Sequence, residues 1–111
     1  MRVTLLLFTA GMLALGPATA VAQDAVGDAE AGFVVAAEIC VQCHAIAPEV
    51  SSVFPVPDAP SFVDIADTPG MTAIALYAWM TTSHPTMPDI ILPPDELRNV
   101  VAYILSLKTG D

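Results

Sequence analysis

The sequence predicts one all-α domain, and three observations support this. The chain has 111 residues, which is the length of one domain. Apolar residues recur at helical spacing, and no stretch shows the alternation typical of a strand. Proline-rich segments separate the helical stretches, and 10 Pro with 6 Gly exclude one long helix or coiled coil.

Residues 1–22 are predicted to be a secretory signal peptide. Arg2 supplies the positive charge, and the apolar run over residues 5–15 is too short for a comfortable membrane span. Small residues favour cleavage after Ala22, so the domain is expected to span residues 23–111. An uncleaved membrane anchor is the alternative.

The chain that remains after cleavage is strongly acidic. It has 89 residues. Its fixed cations are Arg98 and Lys108, and it has 12 carboxylates, which gives a net charge of −10. Nucleic acid binding rests on Lys and Arg, so this balance excludes a phosphate-backbone binder. It also disfavours an anionic membrane surface, and we expect no stable membrane insertion after signal cleavage.

The first helix is expected to run from about residue 29 to residue 40. Asp28 is placed to cap it, and Glu30 suits the positive end of the helix dipole. Its apolar stripe is predicted to consist of Phe33, Ala36, Ala37 and Cys40.

The segment from residue 47 to residue 60 is predicted to be an irregular loop. It contains four prolines, which exclude a regular element. Apolar residues in and after it indicate a loop folded over something apolar; they are Val53, Phe54, Val56 and Phe62. A short helical turn is expected at about residues 61–66.

Two further helices are expected. The first is predicted to begin with Thr68 as its cap and Pro69 in its first turn, and to reach about Thr82. Because it is apolar almost all round, we expect it to be buried on two sides. The last helix is expected to begin near Pro94, with Lys108 in its last turn. Its apolar face is predicted to hold Leu97, Val100, Val101 and Ile104.

The residues that carry chemistry are Cys40, Cys43 and His44, in the C-x-x-C-H pattern of covalent haem attachment. Two thiols one short turn apart reach the two vinyl groups of one haem and form thioethers. The adjacent His44 then lies under the iron and binds it through Nε2. The export signal agrees with this interpretation, because c-type haem attachment takes place outside the bacterial inner membrane.

Three other interpretations of this motif are weaker. A thioredoxin-like dithiol requires a strand–loop–helix setting, whereas here a helix precedes the motif and a proline-rich loop follows it. A structural disulfide has poor geometry at this spacing and does not explain His44. A zinc site needs a second pair of ligands, and only His84 remains.

With these motifs, the chain resembles a small class I monohaem c-type cytochrome over nearly its whole length. Gly32 matches the small residue at which the N-terminal helix of that family crosses the C-terminal helix, and Tyr103 matches the aromatic residue at the crossing. The better-known members have another aromatic residue where Ala36 stands here, whereas Phe33 follows the glycine directly.

The resemblance implies a cytochrome c-like fold, with crossing terminal helices and proline-rich loops wrapped around one covalently bound haem c. Pro60 resembles the proline whose carbonyl accepts the Nδ1–H of the proximal His44. Thr86, Met87 and Pro88 resemble the distal ligand loop.

The distal iron ligand is expected to be Met87. Met71 and Met80 lie in a predicted helix and have the usual role of core methionines, whereas Met87 lies in a loop stiffened by prolines. His84 is the rival ligand. The haem pocket is predicted from the apolar residues Ile46, Phe54, Phe62, Leu76, Trp79, Ile90, Ile91 and Leu97. Trp79, or Tyr77, is a candidate donor to a haem propionate, and a plain core aromatic is the alternative.

The function expected from these observations is periplasmic electron transport by a one-electron carrier, without enzymatic activity. Its partners would be redox proteins with a basic or an apolar docking patch. One alternative is a cytochrome subunit held in a larger periplasmic oxidoreductase, with the apolar loop at the interface. Another is a haem sensor or peroxidase-like enzyme with an open distal site.

Overall fold

The structure, a computed structural model, describes residues 27–83 and 85–110, so the predicted signal peptide and His84 lie outside the described residues. In the described residues the helices are α1 (Ala29–Glu38), α2 (Phe62–Ala66), α3 (Ala73–Thr81) and α4 (Pro94–Ser106). A 3-10 turn spans Cys40–Gln42. These two ranges contain no named strand, which agrees with the all-α prediction. None of the helices described is long and apolar enough to cross a membrane.

Helix α1 begins as predicted and ends earlier. The Asp28 carboxylate accepts from the backbone amides of Glu30 at 2.8 Å and Ala31 at 3.1 Å, which confirms the cap. The helix ends at Glu38, because the chain then tightens into the 3-10 turn. The predicted apolar stripe is partly wrong. Ala36 and Cys40 are buried, whereas Phe33 and Ala37 are exposed and Gly32 takes their place in the contact.

Helices α1 and α4 cross in close contact at Gly32. A Cβ atom on this residue would overlap the backbone oxygen of Asn99 and would lie 2.8 Å from Cβ of Tyr103. The Asn99 side chain also accepts from the Asp28 amide at 2.8 Å. Phe33 lies edge-on to Tyr103, with ring centroids 5.4 Å apart, so an aromatic pair forms at the crossing although Ala36 is small.

Helix α4 carries the buried face predicted for it. Its buried residues are Leu97, Val100, Val101, Tyr103 and Ile104. The expectation that Lys108 lies in the last turn is wrong, because the helix ends at Ser106. The chain beyond it is held elsewhere, since the Thr109 amide donates to the Asp67 carboxylate at 2.8 Å, at the end of α2.

The predicted start of α3 is also wrong. The chain forms a turn after Thr68, and Gly70 has a φ of +77°, which a helix cannot contain. The helix begins at Ala73 instead, where the Thr72 hydroxyl accepts from the Ala75 amide at 3.2 Å. The short helix α2 forms as expected, with Ser61 as its cap.

Helix α3 is not buried on two sides. Among its residues only Leu76 is buried, and it joins the core formed with α1, α2 and α4. Ile74 is 83% exposed and Trp79 is 56% exposed. Met71 and Met80 are partly buried against the core, as expected for packing methionines.

Candidate haem-attachment site

The C-x-x-C-H motif folds into one tight turn. The carbonyl oxygen of Cys40 accepts from the amide of Cys43 at 3.1 Å and from that of His44 at 2.9 Å. Both thiols and the imidazole therefore come from a single short segment at the end of α1. Neither cysteine forms a disulfide bond.

The proline-rich loop holds this turn through backbone hydrogen bonds. The amide of Val53 donates to the carbonyl of Val41 at 2.8 Å, and the amide of Phe54 donates to that of Gln42 at 2.9 Å. The loop has no regular structure, as predicted, but it gives partners to the carbonyls between the two cysteines. The conformation of the motif is thus set by the polypeptide.

His44 is oriented by Pro60. Its Nδ1 lies 2.7 Å from the Pro60 carbonyl oxygen. A carbonyl can only accept, so Nδ1 carries the proton, and the lone pair of the neutral imidazole is on Nε2. The His44 ring also contacts the ring of Phe62, with centroids 5.6 Å apart and planes at 46°. The imidazole is held in the tautomer that a metal ligand bound through Nε2 requires.

The residues that follow His44 are fixed as well. The Phe62 amide donates to the Ala45 carbonyl at 2.9 Å, and the buried Tyr103 hydroxyl donates to the Ile46 carbonyl at 2.8 Å. Sequence reasoning identified Tyr103 at the helix crossing but missed its hydroxyl contact. The signal was present, because a tyrosine on a buried helix face must find an acceptor for its hydroxyl.

Burial raises the pKa of the Cys40 thiol from 9.0 to about 11, and a hydrogen bond from its backbone offsets only part of this. The nucleophilic cysteine of a disulfide oxidoreductase needs a lowered pKa, so that the thiolate is present at neutral pH. The environment of Cys40 therefore disfavours the thioredoxin-like alternative.

The zinc alternative also lacks support in the described part of the chain. Residues 27–83 and 85–110 contain no group of three or more His, Cys, Asp or Glu side chains placed to hold a metal ion. His84, the further ligand that the sequence offers for zinc, lies outside these residues.

The apolar residues predicted to line a haem pocket fall into two sets. Ile46, Phe62, Leu76 and Leu97 are buried in the core. Phe54, Trp79 and Ile91 are exposed, by 61%, 56% and 93%, and Ile90 is half-buried. The first set is fixed by the polypeptide, whereas the second presents apolar surface.

Trp79 and Met87 lie in α3 and in the loop that follows it. Trp79 lines a shallow pocket of about 310 Å³ together with Ala78, Thr82 and Ser83. Met87 is half-buried, and its loop is closed by a hydrogen bond of 3.2 Å from the Ser83 hydroxyl to the Asp89 carboxylate. The structure thus brings Cys40, Cys43, His44 and Pro60 together, whereas Trp79 and Met87 belong to a separate part of the chain.

Comparison of the chain with family models, with curated proteins and with solved structures found no match.

The residues of the turn fit a covalently bound haem. The cysteines are unpaired, His44 has its free lone pair on Nε2, and the Pro60 carbonyl fixes the imidazole from its other side. A soft thioether such as that of Met87 is a regular partner of histidine on haem iron. Two thiols and an imidazole on one turn are the groups that a covalently attached haem would use.

Proposed function

We propose that the chain is a periplasmic one-electron carrier of the class I c-type cytochrome family. One haem c is held by thioethers to Cys40 and Cys43, with His44 and Met87 as the iron ligands. The observation that carries the proposal is the 2.7 Å contact between Nδ1 of His44 and the Pro60 carbonyl, within a C-x-x-C-H turn. This contact gives His44 the orientation and tautomer of a metal ligand.

When bound, the haem supplies an iron that alternates between Fe(II) and Fe(III). The protein residues restrict what that iron can do. With His44 and Met87 as its two protein ligands, the iron would have no position left for a substrate, and outer-sphere electron transfer would remain. The buried side chains of Ile46, Phe62 and Leu97 exclude water near the turn and favour the less charged, reduced state.

The charge of the chain bears on its partners. Because Arg98 and Lys108 are the only fixed cations after residue 22, the surface attracts a redox partner with a basic docking patch. Screening by salt weakens such attraction. Electron-transfer rates with the partner should therefore fall as ionic strength rises, and a rate independent of salt would leave docking to apolar contacts.

The proposal is tested by expressing the full chain, with its export segment, in bacteria that attach haem c. We expect one haem per chain in a pyridine haemochrome assay, and the added mass of one haem in the intact protein. Cys40→Ala and Cys43→Ala should each lower the yield of covalent haem protein. Gly110→Ala is the control, because no atom lies within 4 Å of its added Cβ. An exported protein without added mass would contradict the proposal.

The distal ligand is tested separately. Oxidised protein should show the weak long-wavelength band of an iron–sulfur bond, and Met87→Leu should abolish it. Met71→Leu is the matched control, since Met71 packs against the core. If Met87→Leu retained the band, Met87 would not be the ligand. Strong carbon monoxide binding by the reduced wild-type protein would instead favour the sensor or peroxidase-like alternative.

A second candidate function is that of a cytochrome subunit in a larger periplasmic oxidoreductase. The exposed apolar side chains of the loop favour it, since Val53 is 56% exposed and Phe54 is 61% exposed. Large apolar side chains on a loop are typical of interfaces. Gel filtration of periplasmic extract distinguishes the two functions, because a free carrier elutes as a monomer and a subunit elutes with its complex.

A further inference from the structure

Residues 44–46 are held by groups from two other parts of the chain. The His44 imidazole donates to the Pro60 carbonyl. The Ala45 carbonyl accepts from the Phe62 amide, and the Ile46 carbonyl accepts from the Tyr103 hydroxyl. Two of these contacts come from the segment that begins α2, and one comes from α4. The segment that bears His44 is therefore fixed at three successive residues.

Tyr103 reaches this segment by a second route. Its ring lies 6.3 Å from that of Phe62, with planes at 57°, and the Phe62 ring lies 5.6 Å from the His44 imidazole. The hydroxyl fixes the backbone two residues after His44, and the ring supports the aromatic residue that contacts the imidazole. One side chain of α4 thus restrains His44 through its backbone and through its ring.

The Tyr103 hydroxyl acts as a hydrogen-bond donor. The side chain is 8% exposed and donates to a carbonyl, with the rest of its ring against Phe33 and Phe62. Burial, aided by the negative charge of Glu49, raises the pKa of Tyr103, so the hydroxyl keeps the proton that it donates to Ile46.

We propose that Tyr103 is a positioning residue for the iron ligand His44, and that its hydroxyl keeps the His44–Pro60 hydrogen bond short. The inference rests on the proposed function. A strong bond from Nδ1 to a carbonyl makes the imidazole a better electron donor to a metal. A better donor favours Fe(III), so this hydroxyl lowers the reduction potential.

The test is Tyr103→Phe in the full haem-loaded protein, because this change removes the hydroxyl and keeps the ring. We expect the midpoint potential to rise. Thr109→Val is the control, because it removes a hydroxyl contact with Asp67 just beyond the C-terminal end of α4 and no contact with residues 44–46.

The control distinguishes a positioning role of Tyr103 from an effect on stability alone. Thr109→Val should lower the melting temperature and leave the midpoint potential at its wild-type value. If Tyr103→Phe behaved in the same way, its hydroxyl would have a structural role only and the inference would be wrong.

A second variant covers the case in which Tyr103→Phe does not accumulate. Phe62→Leu keeps the backbone bond to Ala45 and removes the ring between Tyr103 and His44, so the potential should again rise. An unchanged potential would contradict the inference. The pyridine haemochrome assay on the wild-type protein tests the proposed function by itself, so the two failures are distinguishable.

Discussion

Two regions of the molecule are stabilised in different ways. The proximal region consists of residues 27–46, 60–66 and 94–107, and the distal region consists of the described residues between 68 and 92. In the proximal region, Gly32 lies against the backbone of α4, and the Tyr103 hydroxyl is bonded to the segment after His44. In the distal region, Ile74 and Ile91 are 83% and 93% exposed.

The two regions differ in how far contacts within the chain cover their apolar side chains. In the proximal region, side chains of three segments touch one another and backbone carbonyls have donors within the chain. The distal region adds one buried side chain to that core and presents its largest apolar residues on the surface.

The largest effect is expected at the helix crossing. In Gly32→Ala, the new Cβ overlaps the Asn99 backbone, which cannot move without separating α1 from α4. We expect the free energy of unfolding to fall by about 3 kcal/mol. Urea unfolding of the haem-loaded protein measures it. Gly110→Ala adds the same methyl group where no atom lies within 4 Å and should be neutral. Equal stability of the two variants would contradict the close crossing.

A smaller effect is expected in α3. Leu76→Ala removes the one buried side chain of this helix and should cost about 2 kcal/mol, at the lower end for such truncations because the neighbouring side chains can relax. Ile74→Ala, in the same helix, should change the stability by less than about 0.5 kcal/mol, since the side chain is 83% exposed. Urea unfolding compares them. An equally large loss in Ile74→Ala would mean that the outer face of α3 is covered in the loaded protein.

The proximal region was also the more predictable one from sequence. Asp28 as a cap and the apolar face of α4 follow from local patterns, and the structure contains both. The start of α3 did not follow, because Thr68-Pro69 has the pattern of a helix start, whereas the positive φ of Gly70 ends any helix there and Thr72 is the cap. A turn of this kind depends on where the chain must go next, which a local pattern does not contain.

The candidate site also has features that could be predicted from the sequence and features that could not. The motif Cys40–His44 could be identified from spacing, because covalent chemistry fixes that spacing. A buried Tyr103 hydroxyl could be expected to need an acceptor, but Ile46 could not be named as that acceptor, because it lies 57 residues away along the chain. The stripe of α1 was misjudged at Ala37 for a related reason. The contact at Gly32 turns a different face of α1 toward α4, and hydrophobicity patterns give no weight to glycine.

A third prediction concerns the link between Asp28 and Asn99. Asn99→Ala removes the acceptor of the amide that precedes α1 and should lower the free energy of unfolding by about 1 kcal/mol. The Gly32 contact with the backbone of residue 99 remains in this variant, so the haem spectrum should not change. Chemical denaturation and the absorption spectrum together check this. A changed spectrum would show that the crossing and the haem site are coupled more directly than through Tyr103.

The smallest effect is expected where the chain end meets α2, and it depends on pH. Hydrogen bonds from the side chain and backbone of Thr109 lower the pKa of Asp67 from its ordinary value of 3.8. A lowered folded pKa gives stability that is present above pH 3.8 and is lost as the pH falls through the folded value. Asp67→Asn should therefore melt at a lower temperature than the wild type at neutral pH, and the gap should close in acid. A gap that persisted in acid would mean that Asp67 acts through its shape rather than its charge.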